Sequence, residues 1–97
     1  MGRNEERARH LTYTVEFAPS VKKSFKKPPK DEVNRIMDAI NSLTKDPLPE
    51  GVKFLKGSLD GFHRIRVGNY RVIYEIQEKR LIIYVLKISI RGSSTLY

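Results

Sequence analysis

The chain contains no cysteine and no tryptophan, only two histidines, and fewer acidic than basic residues. Without cysteine there is no disulfide framework, no thiolate nucleophile and no cysteine-based metal centre. His10 and His63 stand too far apart for the short spacings of zinc ligands, so neither a metal nor any other cofactor is expected. Apolar runs are short and interrupted by charge, and no segment has the pattern of a secretory leader. A cytoplasmic protein that does not engage membranes is therefore expected. Also missing are a pair of carboxylates placed for acid/base work, a glycine-rich phosphate loop ahead of a helix, and a Ser/His/Asp arrangement.

What is present is positive charge. Nineteen Lys and Arg against eleven Asp and Glu give 97 residues a net charge of +8. That length suits one domain with one modest core, such as a sheet with a helix or two. The field of such a body concentrates anions, and nucleic acid is the commonest large one.

The charge is most informative between Phe62 and Glu75, where two β-branched and aromatic runs flank Gly68-Asn69. That pair suits the positive φ of a two-residue hairpin turn. The turn pairs Val67 with Tyr70, Arg66 with Arg71, Ile65 with Val72 and Arg64 with Ile73. Strand side chains alternate, so Ile65, Val67, Tyr70, Val72 and Tyr74 share a core face while Arg64, Arg66 and Arg71 share the other. Cross-strand guanidiniums about 5 Å apart repel by roughly 1 to 3 kcal/mol. A bound polyanion turns that repulsion into attraction. Arginine is a poor general base, so any catalysis by this face rests on positioning and charge stabilisation. His63 falls on the core face opposite Tyr74, away from the arginines.

Taken in order, residues 1–10 read as a charged tail and 11–97 as one domain. Leu11 to Phe17 alternates like a half-buried strand. Pro19 suits a helix start, with a helix expected to about Lys27 that buries Val21 and Phe25. Its Lys22, Lys23, Lys26 and Lys27 are candidate RNA contacts along a phosphate backbone. Pro28-Pro29 break that helix, and Asp31 is the expected N-cap of a second one. Val33, Ile36, Met37, Ile40 and Leu43 form its apolar stripe. Lys53 to Leu55 reads as extended, and Lys53 and Lys56 are further candidate RNA contacts. A tight turn at Glu78-Lys79 then leads into an apolar strand ending near Ile88. In that register Leu81, Ile83 and Val85 face the helices, and Ile82, Tyr84 and Leu86 lie beside the arginines. Tyr84 belongs to a floor suited to a stacked base. The expected class is α+β, a small antiparallel sheet of about four strands with both helices packed on one face.

The runs Leu55-Lys56-Gly57, Arg64 to Glu75 and Ser89 to Tyr97 resemble the RelE/ParE superfamily of bacterial and archaeal toxins, over nearly the whole chain after Leu11. The resemblance implies a microbial-ribonuclease-like fold. For the RelE branch it implies metal-independent cleavage of messenger RNA in the ribosomal A site, by attack of a ribose 2′-hydroxyl on the adjacent phosphate. It places Arg64 and Arg71 on the scissile phosphate, Arg91 at the leaving 5′-oxygen and Tyr97 against the nucleotide. Arg66 stands where some members carry a lysine proposed as base. Ile90 stands where relatives often carry His or Lys, and both departures point to reduced or shifted activity.

The implied partners are an acidic RelB-like antitoxin, the ribosome and mRNA, with operator DNA reached only through the antitoxin. Two alternatives remain open at this point. One is a ParE-like DNA gyrase inhibitor that cuts no RNA; the other is an RNA-binding module without catalysis.

Overall fold

Alternation and turn chemistry produce the strands expected of the second half of the chain. The computed structural model describes residues 12–26 and 28–90. Strand β1 spans Thr14–Phe17, helix α1 Pro19–Ser24, helix α2 Lys30–Leu43 and strand β2 Lys53–Phe54; after a 3₁₀ turn at Gly57–Leu59 come β3 Phe62–Val67, β4 Tyr70–Gln77 and β5 Ile82–Ile90. Five strands form one sheet in the order β1-β5-β4-β3-β2. This is one strand more than the sequence suggests, because Lys53 and Phe54 pair with Arg64 and His63. The sheet is also mixed, since β1 runs parallel to β5 while all other pairs are antiparallel.

Both helices cover the same sheet face. Val21 of α1 and Ile36, Ile40 and Leu43 of α2 join Ile65, Val67, Tyr70, Val72, Tyr74, Ile83, Val85 and Ile88 in one core. Each fully buried aliphatic side chain contributes about 1.5 to 3 kcal/mol of transfer free energy. Helix α1 is shorter than expected, ending at Ser24. Helix α2 begins one residue before Asp31, with Pro29 as its N-cap and no side-chain cap. The extended ψ of 151° at Pro29 already makes the entry, and its carbonyl accepts from Glu32 and Val33 at 3.0 Å. Asp31 and Glu32 instead occupy the first turn, where the helix dipole favours negative charge.

Two corrections fall on β5. The connection from β4 is not a tight pair but the four residues between Gln77 and Ile82, which face each other. Leu81 lies in that turn with φ of 55° and does not project from the strand toward the helices. Further along, Ile73 pairs with Lys87 and Tyr74 with Val85, leaving Leu86 as the extra residue of a β-bulge. The bulge reverses the alternation, so Ile83 and Val85 before it and Ile88 after it are all buried in the same core. Among the described residues no helix is long and apolar enough to cross a membrane.

Candidate nucleic-acid interface

The hairpin turn sets the geometry of the sheet face opposite the helices. Gly68 takes φ of 60° and Asn69 does not enter the positive region, so only the first central residue needs the freedom glycine supplies. With a two-residue loop the register follows: Val67 opposite Tyr70, Arg66 opposite Arg71, Ile65 opposite Val72, Arg64 opposite Ile73. Val67, Ile65, Val72 and Tyr70 are buried beneath the helices. Alternation therefore places Arg64, Arg66 and Arg71 together on the opposite face.

Neighbouring strands widen this patch. Lys53 of β2 pairs with Arg64. On β5 the bulge turns Lys87 toward the arginine face beside Ile73, and Ser89 beside Arg71. Arg66 is exposed, whereas Arg64 and Arg71 are half-buried. The Nε atoms of Arg64 and Arg71 are closed off from solvent and have no acceptor. A buried donor without a partner costs about 1 to 3 kcal/mol, so both guanidiniums are held in place at an energetic cost.

The opposite end of the same face has different chemistry. Phe62 faces Glu75, which faces Tyr84, which faces Glu16 across the four longer strands. Gln77 Nε2 donates to Glu75 Oε1 at 3.0 Å. Cations thus gather toward the hairpin tip, and carboxylates and aromatics toward the far end.

His63 lies on the core side, as the alternation requires, opposite Tyr74. Its ring meets Phe54 edge-on at 4.6 Å and tilts against Tyr74 at 5.6 Å. Desolvation lowers its pKa below the usual histidine range, and its Nδ1 is buried without a partner. The Tyr74 hydroxyl donates to the Pro47 carbonyl at 2.6 Å. Burial, helped by the nearby Asp46 charge, pushes its pKa up to about 12. Neither ring shares a face with the arginines.

The remaining candidate residues divide by layer. Lys22 and Lys23 of α1, and Lys26 just beyond it, are exposed in the helical layer, on the other side of the sheet from the guanidiniums. Lys56 is exposed in the loop after β2, and Tyr84 sits at the far end of the arginine face. Lys27, Arg91 and Tyr97 lie outside the described residues. Lys87, Phe62 and Glu75 join the face without having been singled out in the sequence. For Phe62 and Glu75 the signal was available, since they share the parity of Arg64 and Arg71.

Comparison with known proteins extends this picture over most of the chain. Residues 6–94 match the family described as ParE toxin of type II toxin–antitoxin system, parDE. A protein of Methanocaldococcus jannaschii assigned as toxin RelE1 is 33% identical over 84 residues, covering 84% of this chain and 92% of that protein. In solved structures, a chain of the archaeal RelE–RelB complex from Pyrococcus horikoshii superposes with a TM-score of 0.74 at 32% identity. The match covers 87% of this chain and 100% of that one. A chain of the RelBE2 toxin–antitoxin complex from Mycobacterium tuberculosis gives a TM-score of 0.73 at 27% identity, with coverages of 84% and 100%. The fold is thus a shared one, and the chain belongs to the RelE/ParE superfamily of type II toxin–antitoxin toxins.

Proposed function

We propose that this toxin is a RelE-type, ribosome-dependent endoribonuclease that cuts messenger RNA without a metal. The observation that supports the reading is the convergence of Arg64, Arg66 and Arg71 on one sheet face, with Arg66 exposed and directly opposite Arg71. In the reaction the ribose 2′-oxygen attacks the adjacent phosphorus and loses its proton, and the P–O5′ bond breaks. The products are a 2′,3′-cyclic phosphate and a 5′-hydroxyl, the leaving oxygen taking up a proton. Arg64 and Arg71 hold the phosphate and stabilise charge as it develops, while Arg66 adds to the field. Arg91 is assigned to the leaving oxygen and Tyr97 to the nucleotide. Because arginine keeps its proton at neutral pH, the ribosome's positioning of the message supplies much of the rate. Translation stops as a result.

The complexes to which the similar RelE chains belong point to a RelB-like partner. An acidic antitoxin complements the net charge of +8.

A second reading is favoured by the name of the matched family, ParE. In it the same fold inhibits DNA gyrase and cuts no RNA. Mapping mRNA 3′ ends after induction, in wild type and Arg71→Ala, separates the two. New ends inside codons, absent in Arg71→Ala, are expected. Unchanged messages with trapped gyrase–DNA complexes select the inhibitor, and unchanged messages without them leave an RNA-binding module.

A further inference from the structure

We infer that Phe62, Glu75 and Tyr84 form a base-reading subsite on the arginine face, selective for guanine. The inference rests on the nucleic-acid reading above and assigns the face its specificity.

Phe62 precedes Arg64 by two residues on β3, so the Phe62–Glu75–Tyr84 rung lies about 7 Å along the sheet from Arg64. That is the reach from a nucleotide's phosphate to its own base. Phe62 and Tyr84 flank Glu75 on either side, and all three are half-buried. An apolar residue, Ile73, separates this rung from Arg71. The surface thus runs from guanidinium through aliphatic to aromatic and carboxylate. A nucleotide has the same sequence of groups, with an anionic phosphate, a sugar, and a flat base whose edge carries N–H donors.

Polarity fixes the orientation. The carboxylates of Glu75 and of exposed Glu16, beyond Tyr84, repel phosphate from this end of the face. The backbone is held at the hairpin end by Arg64, Arg66, Arg71, Lys53 and Lys87. Only the base extends toward Glu75, with aromatic side chains beside it for stacking.

The Glu75 carboxylate is also positioned. Gln77 donates to its Oε1 at 3.0 Å, which limits the rotamers of a side chain that would otherwise wander. An ionised carboxylate only accepts hydrogen bonds. Guanine alone among the four bases presents two adjacent donors, N1–H and N2–H, on its pairing edge. Cytosine and adenine each set a donor beside an acceptor, and uracil flanks its one donor with two acceptors. A fixed pair of oxygens matches guanine and repels the acceptors of the rest. A good bidentate contact discriminates by about tenfold or more.

The test uses the full-length protein and labelled single-stranded tetranucleotides, 2′-O-methylated so that nothing is cleaved and differing in one base. Fluorescence anisotropy is expected to show about tenfold tighter binding to the guanine ligand than to the adenine one. In Glu75→Gln the guanine advantage falls below twofold and the adenine ligand gains, because an amide offers adenine one donor and one acceptor. Binding within twofold for all four bases in the wild type overturns the inference, as does a guanine preference that persists in Glu75→Gln. If Glu75 merely braces Gln77, Glu75→Gln lowers the unfolding midpoint and leaves the base ranking untouched, which also overturns it. Cleavage is scored separately. A protein that binds guanine in this way but cuts no message refutes the nuclease reading and sustains the subsite; cleavage without any dependence of base preference on Glu75 does the reverse.

Discussion

The Tyr70 hydroxyl donates a hydrogen bond to the carboxylate of Glu32, 38 residues earlier, and so ties the first residue of β4 to the first turn of α2. The two side chains border a polar pocket of about 230 Å³ with Arg35, Val67, Gly68 and Asn69. This bond holds the tip of the basic hairpin against the helical layer. Tyr70→Phe removes it and leaves a half-buried carboxylate short of a donor. A loss of about 1.5 to 3 kcal/mol is expected, read as a lower urea midpoint.

Arg66 faces Arg71 across the hairpin, so two like charges are directly opposed. Arg66→Ala is expected to raise stability by a few tenths to about 1 kcal/mol at low salt, since it removes directly opposed like charges. The gain should shrink as salt screens the pair. The same variant should bind single-stranded RNA more weakly. Parallel urea titrations and anisotropy measurements at two salt concentrations check both signs.

The turn itself depends on Gly68. A Cβ at φ of 60° is strained and would stand 3.3 Å from Arg35 Nη1. Gly68→Ala is expected to cost about 1 to 2 kcal/mol. Gly68→Asn should cost less, because asparagine tolerates left-handed backbone. Thermal melts of the two variants give the comparison.

Two buried rings shape the pH dependence. The Tyr74 pKa is raised from 10.0 to about 12, so the native state keeps its proton where the unfolded chain releases it. That contribution is complete below pH 10 and disappears as pH rises toward 12. The His63 pKa is lowered from 6.5, so its contribution is present above pH 6.5 and is lost as pH falls below that value. Stability should therefore plateau between these limits. His63→Phe should flatten the acid limb and Tyr74→Phe the alkaline one, in unfolding midpoints taken from pH 5 to 12.

The arginine hairpin was legible because three signals agree there. Alternation of β-branched residues, a Gly-Asn pair and the polarity of the intervening arginines all specify one register, which the structure reproduces from Arg64–Ile73 to Val67–Tyr70. The helical stripe of Ile36, Ile40 and Leu43 was equally clear, and all three are buried. Other features carry no local mark. Alternation at Tyr13, Val15 and Phe17 identifies a strand but neither its direction nor its partner, and it is β5, far along the chain, that it joins in parallel. The run Ile82 to Ile90 is too uniformly apolar to reveal its bulge, so Lys87 could not be placed from sequence. At Asp31 a good capping residue lost to the two prolines before it, whose extended backbone had already begun the helix. The roles given to Arg91 and Tyr97 came from likeness alone and fall outside the described residues.

The parallel alignment of β1 with β5 makes the basic face depend on pairing between strands far apart along the chain. The first strand has no sheet to join until the last one, Ile82–Ile90, has been made, and that strand also carries Lys87 and Ser89 of the basic face. Contacts between residues so distant along the chain are late and slow to form. The basic face is therefore assembled only when Ile82–Ile90 pairs with both β1 and β4.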